Sequence, residues 1–340
     1  MTVRLNVLRY KRSDMKKIYG NDYLLSTLKN MVHRDKAAHA VMFCGEKGSG
    51  KKLLARYYTK LLLCENHADG EPCGCCTSCR NIEAGYHPDV IYPEKSGKLG
   101  GYSVETIGSV TSDAYVKPNN KTGRKVYIFT DCRNFDSRPQ NKLLKLIEEP
   151  PDYAYFIFTA ESKSVFLPTI ISRCVCFGTS VCTEAQARQA LAENGHSQEE
   201  INSAVKCFHG NIGMCMSYLL DDSLRRKVDL TKLLADSIIR RDEYAMNSAF
   251  YTVAKDRNEV GDVLSMLDKL IRDAVVLKKS PDTKGIGCTA DGAGRLSETL
   301  DIYQAARLHR YLEKAKSAVD CNVNIPLVLA ALCAEIIGTV

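Results

Sequence analysis

Residues 40–52, AVMFCGEKGSGKK, leave a chain few ways to fold. A short apolar run with no polar alternation reads as a strand buried on both faces. It ends in Gly45, and the loop beyond it passes Gly48 and Gly50 to reach a lysine, in the pattern G-x-x-x-x-G-K. The next segment, KKLLARYYTKLLLC (51–64), sets Leu53, Leu54, Tyr57 and Leu61 on one face of a helix. Strand, glycine loop and helix in that order let backbone N–H groups and a helix N-terminus cradle phosphates. Lys51 is expected to reach the β- and γ-phosphates. The last position departs from the pattern: Lys52 brings an ammonium where a Ser or Thr would give Mg²⁺ an oxygen ligand, and Leu53 cannot substitute. ATP or ADP fits such a cradle, whereas hydrolysis of a metal–ATP complex is not expected.

The surrounding pattern agrees with a parallel sheet. NDYLLSTLKNMVHR (21–34) has helical spacing, KVYIFT (125–130) reads as a strand, SRPQNKLLKLIEEPP (137–151) as a helix stopped by two prolines, and AYFIFTA (154–160) as a further strand. Alternating strands and helices predict an α/β layer structure. After residue 178 no strand signal remains. TEAQARQALAENG (183–195) and SQEEINSAVKCFHG (197–210) read as two capped helices, and 222–239, 243–255, 257–279, 300–319 and 324–337 as further helices. The Gly-rich, polar stretch 280–298 reads as a loop. The expected division is an α/β domain over 1–178, a small helical domain over 179–221 and an all-α domain over 222–340.

At 340 residues the chain can bury more than one core. No apolar run approaches the ~20 residues that span a membrane, and the basic N-terminal stretch lacks the apolar centre of a signal peptide, so a cytoplasmic location is expected. The net charge of +7 is spread along the chain, without the basic stripe that marks a nucleic-acid face. Of fifteen cysteines, Cys44, Cys174, Cys176, Cys207, Cys215 and Cys333 stand singly in apolar segments, where they read as small buried hydrophobes. The run CENHADGEPCGCCTSC (64–79) is different. Cys64, Cys73, Cys76 and Cys79 offer four thiolates that can close a tetrahedral site around Zn²⁺. Four soft ligands leave no open position, so the metal would be structural. Cys75 could replace Cys76 as a ligand, and His67 is nearby.

Taken together, the phosphate loop, the four-cysteine insertion, KVYIFTD, NKLLKLIEEPP, FIFTA and LPTIISRC resemble bacterial clamp-loader AAA+ subunits. The resemblance is strong over about 20–220 and weaker through the C-terminal helices, where MLDKLIRDAVVLKK is similar to an oligomerising collar. It implies an AAA+ domain carrying a zinc-binding insertion, a helical lid and a collar. It also implies partners: γ/τ and δ subunits of DNA polymerase III in a hetero-pentameric ring, which acts on the sliding clamp and primed DNA. No membrane is involved.

Departures from the resembled pattern concentrate at the ATP site. Counting back from Glu148 and Glu149 puts Thr130 in the slot of the metal-holding Asp and Asp131 in the slot of the water-activating Glu. The lid arginine of a G-x-x-R pattern is replaced by Gly213 in GNIG. Lys52, Thr130 and Gly213 all point to lost hydrolysis. Thr159 matches the polar residue that contacts the γ-phosphate in active members. Arg173, in ISRC, is retained, and the resemblance makes it an arginine finger acting on a neighbour's ATP. Glu148 and Glu149, at a helix end, read as structural rather than as an acid/base pair. The favoured reading is a δ′-type stator without ATPase activity of its own. The rivals are a γ/τ-like ATPase with an atypical site and a zinc-dependent DNA-binding module.

Overall fold

The computed structural model describes residues 17–97, 100–281, 283, 285–321 and 323–340. The basic N-terminal stretch 1–16 lies outside the described residues. The chain forms two compact units, Met1–Gln186 and Ala187–Val340.

The first unit is built on five parallel strands: β1 (Ala40–Cys44), β2 (Val90–Ile91), β3 (Lys125–Phe129), β4 (Ala154–Ala160) and β5 (Val175–Gly178). Their order across the sheet is β2-β3-β4-β1-β5. Both faces are covered, and the period-two alternation of each strand divides its side chains between two cores. Val41, Phe43, Val126, Ile128, Tyr155 and Ile157 face α1 (Asp22–His33) and α2 (Lys51–Leu63), meeting Leu28, Leu54, Tyr58 and Leu61. Met42, Tyr127, Phe129, Phe156 and Phe158 face α4 (Val104–Ala114) and α5 (Ser137–Glu148), meeting Ile107, Leu143 and Leu146. On that second face the rings stack across neighbouring strands, Tyr127 on Phe156 at 5.3 Å and Phe129 on Phe158 at 4.9 Å. Each such fully buried ring contributes roughly 1.5–3 kcal/mol by leaving water.

Between strands the chain adds α3 (Thr77–Ala84) and the single turn α6 (Pro168–Ile171). Neither α3, β2, α4, α6 nor β5 carries a strong sequence signal. In α4, VETIGSVTSDA is poor in strong helix formers, yet Ser103 caps it by accepting from Thr106 N–H, and Ile107, Val110 and Ala114 bury against the sheet. A helix and a strand end where the sequence says they should. Pro150 and Pro151 follow the Glu149 cap of α5, and Gly45 closes β1, its N–H donating to the Ala160 carbonyl at 3.2 Å.

The second unit is helical among its described residues. It holds α7 (Glu184–Glu193, which spans the boundary between units), α8 (Gln198–Phe208) and α9 (Ile212–Leu220). Then follow α10 (Asp222–Arg240), α11 (Glu243–Tyr251), α12 (Arg257–Lys279), α13 (Ala290–Thr299), α14 (Ile302–Asp320) and α15 (Ile325–Ile337). Ser197 and Glu200 form a reciprocal capping box at the start of α8. A large apolar core joins α10 to α15, with Leu234, Leu264, Leu267, Leu308, Leu312 and Ile336 fully enclosed.

Two sequence expectations change. The stretch 280–298 is not all loop: its second half is α13, capped by Thr289, with Ala293 and Leu296 in the core. Ahead of it, Ile286 and Gly287 are held by Asp273 of α12, a carboxylate almost wholly out of solvent, whose Oδ2 accepts Ile286 N–H at 2.7 Å and Gly287 N–H at 2.5 Å. A Cβ on Gly285 would collide with that oxygen, so this glycine serves close approach. The single cysteines also differ from expectation. Cys207, Cys215 and Cys333 are buried, but Cys44 and Cys174 are half-buried and Cys176, on the edge strand β5, is exposed.

Candidate functional site

The C-terminal ends of β1, β3, β4 and β5 all open on the same edge of the sheet, which is where ligands sit in parallel α/β layers. The loop after β1 crosses this edge. Gly48 and Gly50 both take φ of 85°, in the left-handed region that favours glycine. Gly45 is required for space: a side chain there would run into Thr179, just beyond β5. Thr179 closes the back of the loop, donating its N–H to the Cys44 carbonyl at 2.7 Å and sharing a hydroxyl hydrogen bond with Ser49 at 2.7 Å.

Lys51 opens α2 and is 6% exposed. Its ammonium donates to the carbonyls of Gly45 and Glu46, both at 2.6 Å, which folds it over the loop. Burial pulls its pKa below the ordinary lysine value, against the opposing pull of Glu161 and Asp131. Lys52 turns the other way and pairs with Asp131, Nζ to Oδ2 at 2.8 Å. Burial pushes the Asp131 carboxyl up, but the hydrogen bond and charge of Lys52, with Lys95 and Arg133 behind it, hold it below the usual carboxylate value.

Asp131 is the first residue after the Thr130 step beyond β3 and takes a φ of 43°. Thr159, fully buried on β4, accepts the Asp131 N–H on Oγ1 at 2.8 Å, and its carbonyl accepts Cys132 N–H at the same distance. The residue expected at a γ-phosphate therefore fixes the backbone that presents Asp131. Thr130 brings no carboxylate, and its carbonyl accepts the Tyr102 hydroxyl. The structure thus brings Gly45, Gly48, Gly50, Lys51, Lys52, Asp131 and Thr159 into one neighbourhood. Lys95, which donates to the Asp131 carbonyl at 3.0 Å, and the Arg133–Glu161 pair at 2.6 Å join it without any sequence motif to announce them.

Arg173 follows α6 and is bonded at its own corner. Its Nη2 meets Glu148 Oε1 at 2.7 Å, and Nη1 donates to the Thr169 carbonyl at 2.9 Å. Both partners of the ion pair are more than a third exposed, so the guanidinium is held but reachable. Glu148 is thereby a partner of Arg173 rather than half of a carboxyl dyad with Glu149. Gly213 lies in the first turn of α9, behind the Asn211 cap.

The cysteine cluster forms between α2 and α3. Cys64 ends α2 and Cys76 caps α3. Backbone N–H groups point at sulfur in sequence: Cys73 N–H to Cys64 Sγ at 3.3 Å, Cys76 N–H to Cys73 Sγ at 3.3 Å, and Cys79 N–H to Cys76 Sγ at 3.4 Å. The sulfurs of Cys64, Cys73, Cys76 and Cys79 all lie within 4.8 Å of one another, near the ~3.8 Å that a tetrahedral site with Zn–S bonds of about 2.3 Å demands. N–H groups from Cys75 and Cys76 hold the Cys73 thiol down to about 6, whereas burial pushes Cys79 up. Cys75 is exposed and outside the group, so Cys76 is the fourth sulfur. His67 uses Nε2 on the Leu61 carbonyl at 2.9 Å and stands apart. The cluster can hold a soft metal ion.

Comparison with known proteins gives four findings. Residues 20–181 match the family model described as DNA polymerase III, delta subunit. The DNA polymerase III subunit gamma of Buchnera aphidicola subsp. Schizaphis graminum is 30% identical over 204 residues, 59% of this chain and 55% of that protein. The subunit tau of Bacillus subtilis is 27% identical over 296 residues, 79% of this chain and 51% of that one, and the tau/gamma subunit of Haemophilus influenzae is 29% identical over 193 residues, 56% and 27%. The chain spans about half the length, or less, of these curated relatives.

Proposed function

This chain is a relative of the γ/τ clamp-loader subunits of DNA polymerase III, and from that premise we propose that it is a δ′-type stator of such a loader. In this reading the first unit keeps the ATPase shape without its turnover, and Arg173 serves the ATP of a neighbouring γ/τ subunit. The helices after about residue 222 act as the collar that fixes it in the ring with γ/τ and δ, and residues 179–221 as the lid. The cysteine cluster holds one structural Zn²⁺.

One observation carries the reading: the Lys52–Asp131 ion pair. Hydrolysis needs a carboxylate free to orient water and oxygen ligands for Mg²⁺. Here the one carboxylate at the end of β3 is neutralised by the residue that should have been a metal ligand, and Thr130 supplies none. Arg173 is paired too, with Glu148, but its planar fork carries further donors that suit a transferring phosphoryl group.

The test has two arms. The purified chain is expected to show no ATP turnover; steady turnover abolished by Lys51→Ala would restore the γ/τ-like ATPase reading, which the names of the curated relatives favour. In a reconstituted loader, Arg173→Ala is expected to assemble normally and to lower clamp-stimulated hydrolysis. An arginine finger contributes roughly 10³–10⁵ at an isolated site, and intact sites elsewhere would make the whole-complex loss smaller. Normal assembly with unchanged hydrolysis and loading would remove the trans-acting role.

A further inference from the structure

The start of α2 carries an unusual charge for a helix N-terminus. Gly50 gives no side-chain cap, no acidic residue occupies the first turn, and the first two helical residues are Lys51 and Lys52. Cations at that end oppose the helix dipole, which favours negative charge there. The groups around them add to the imbalance. Around Lys51, Lys52, Lys95 and Arg133 stand the carboxylates of Asp131 and Glu161, and each of these is already engaged, with Lys52 at 2.8 Å and Arg133 at 2.6 Å. The loop N–H groups and a net positive field together form a cradle for a multiply charged anion.

Mg²⁺ does not fit the same donors. It requires a near-octahedral set of oxygens at about 2.0–2.1 Å. Position 52 gives an ammonium, Thr130 gives no carboxylate, and the carboxylate of Asp131 is held by that ammonium. A divalent cation would have to displace Lys52 and enter a region already rich in positive charge. A polyphosphate meets the opposite situation, because every one of those cations attracts it.

We propose that this phosphate loop takes the polyphosphate of ATP or ADP without a metal ion, the Lys52 ammonium standing where the metal would sit. An ammonium has three donors, so Lys52 can keep Asp131 and still face a phosphate oxygen. Lys51, poised over the Gly45 and Glu46 carbonyls, turns to the phosphates from the other side. Asp131 then orients Lys52 toward the ligand, and Thr159 in turn fixes the Asp131 backbone. The inference rests on reading residues 45–52 as a phosphate cradle and adds the form of the ligand.

Calorimetric titration of the full chain with ATP and with ADP tests it. Buffer is freed of divalent cations over a chelating resin before protein is added, so that no chelator reaches the cysteine cluster, and the titration is repeated with millimolar Mg²⁺. Affinity without Mg²⁺ is expected to equal or exceed affinity with it, since the metal masks phosphate charge that Lys51 and Lys52 use. Lys51→Ala should lose binding in both buffers. Lys52→Ser restores a hydroxyl and should now favour the Mg²⁺ buffer by about tenfold, while Lys52→Arg should stay indifferent to the metal. Circular dichroism melting curves check that all three variants fold. Binding by the unmodified chain that weakens about tenfold without Mg²⁺, or a serine variant as indifferent to the metal as the parent, would overturn the proposal. Absence of nucleotide binding in either buffer would overturn it too, yet would leave the trans-acting role of Arg173 standing, because that assay does not need this chain to bind nucleotide.

Discussion

Thr159→Val isolates the contact that presents Asp131. The exchange keeps the shape of a fully buried side chain on β4 and removes the one oxygen that accepts the Asp131 N–H at 2.8 Å. A donor left without a partner costs about 1–3 kcal/mol when enclosed. This N–H is only partly enclosed, so water can repair some of the loss, and about 1.5 kcal/mol is expected. The bond also holds Asp131 at a φ of 43°, a conformation that is itself unfavourable by about 1–2 kcal/mol, so its loss frees the backbone to relax away from Lys52. For a unit of this size, melting should fall by about 3–6 °C. Thr159→Ser keeps the hydroxyl and loses a methyl group, at about 1 kcal/mol, so melting alone does not separate the two variants. Amide hydrogen exchange does. The valine variant should speed exchange at Asp131 about tenfold, the equivalent of ~1.4 kcal/mol, while amides of 155–158 stay protected and the serine variant matches the parent. If the valine variant keeps Asp131 protected, or the serine variant exposes it equally, Thr159 does not hold this turn.

Metal analysis of protein purified without chelator should find about one Zn²⁺ per chain, lost in Cys79→Ser and kept in Cys75→Ser and His67→Ala, which lie outside the sulfur group. Asp273→Ala removes the acceptor of both Ile286 and Gly287 N–H, each bond to a charged group contributing about 1.5–3 kcal/mol, so urea unfolding should show a loss of about 3 kcal/mol or more; Asp273→Asn can turn its carbonyl oxygen to the same donors and should lose far less. His87 is buried, with Nδ1 accepting Asp89 N–H at 3.2 Å, and burial lowers its pKa against the pull of Asp89 and Glu65. A depressed folded pKa means stability that is present above the unfolded value of about 6.5 and is lost as pH falls through it, so melting should drop between about pH 7 and about pH 5 with a slope that His87→Gln reduces.

Spacing along the chain determined the elements and their faces. The run AVMFCG, the glycine loop and the helix behind it appear where the sequence puts them, as do the helices over 222–279 and 302–337, because burial against one core repeats every 3.6 residues in a helix. The cysteine spacing likewise marked a metal-capable loop. Short elements escaped such reading: β5 has four residues and an exposed edge, α4 lacks helix formers, and α13 opens among glycines. There the helix or strand is set by what it packs against, and local propensity is too small to decide.

Tertiary structure alone decided the partners. Nothing in GEKGSGKK tells that Lys51 folds onto its own loop while Lys52 reaches Asp131, and nothing in FIFTA tells that Thr159 spends its oxygen on a backbone amide. Those pairings follow from strand register, which sets Phe43 beside Thr159 and Phe129 beside Phe158 and so brings loops distant in sequence to one edge. The same holds for Arg173 on Glu148 and for the choice of Cys76 over Cys75. A sequence fixes which groups a segment offers. Which of them meet depends on distances of a few ångströms between elements, and only the folded sheet and its covering helices set those.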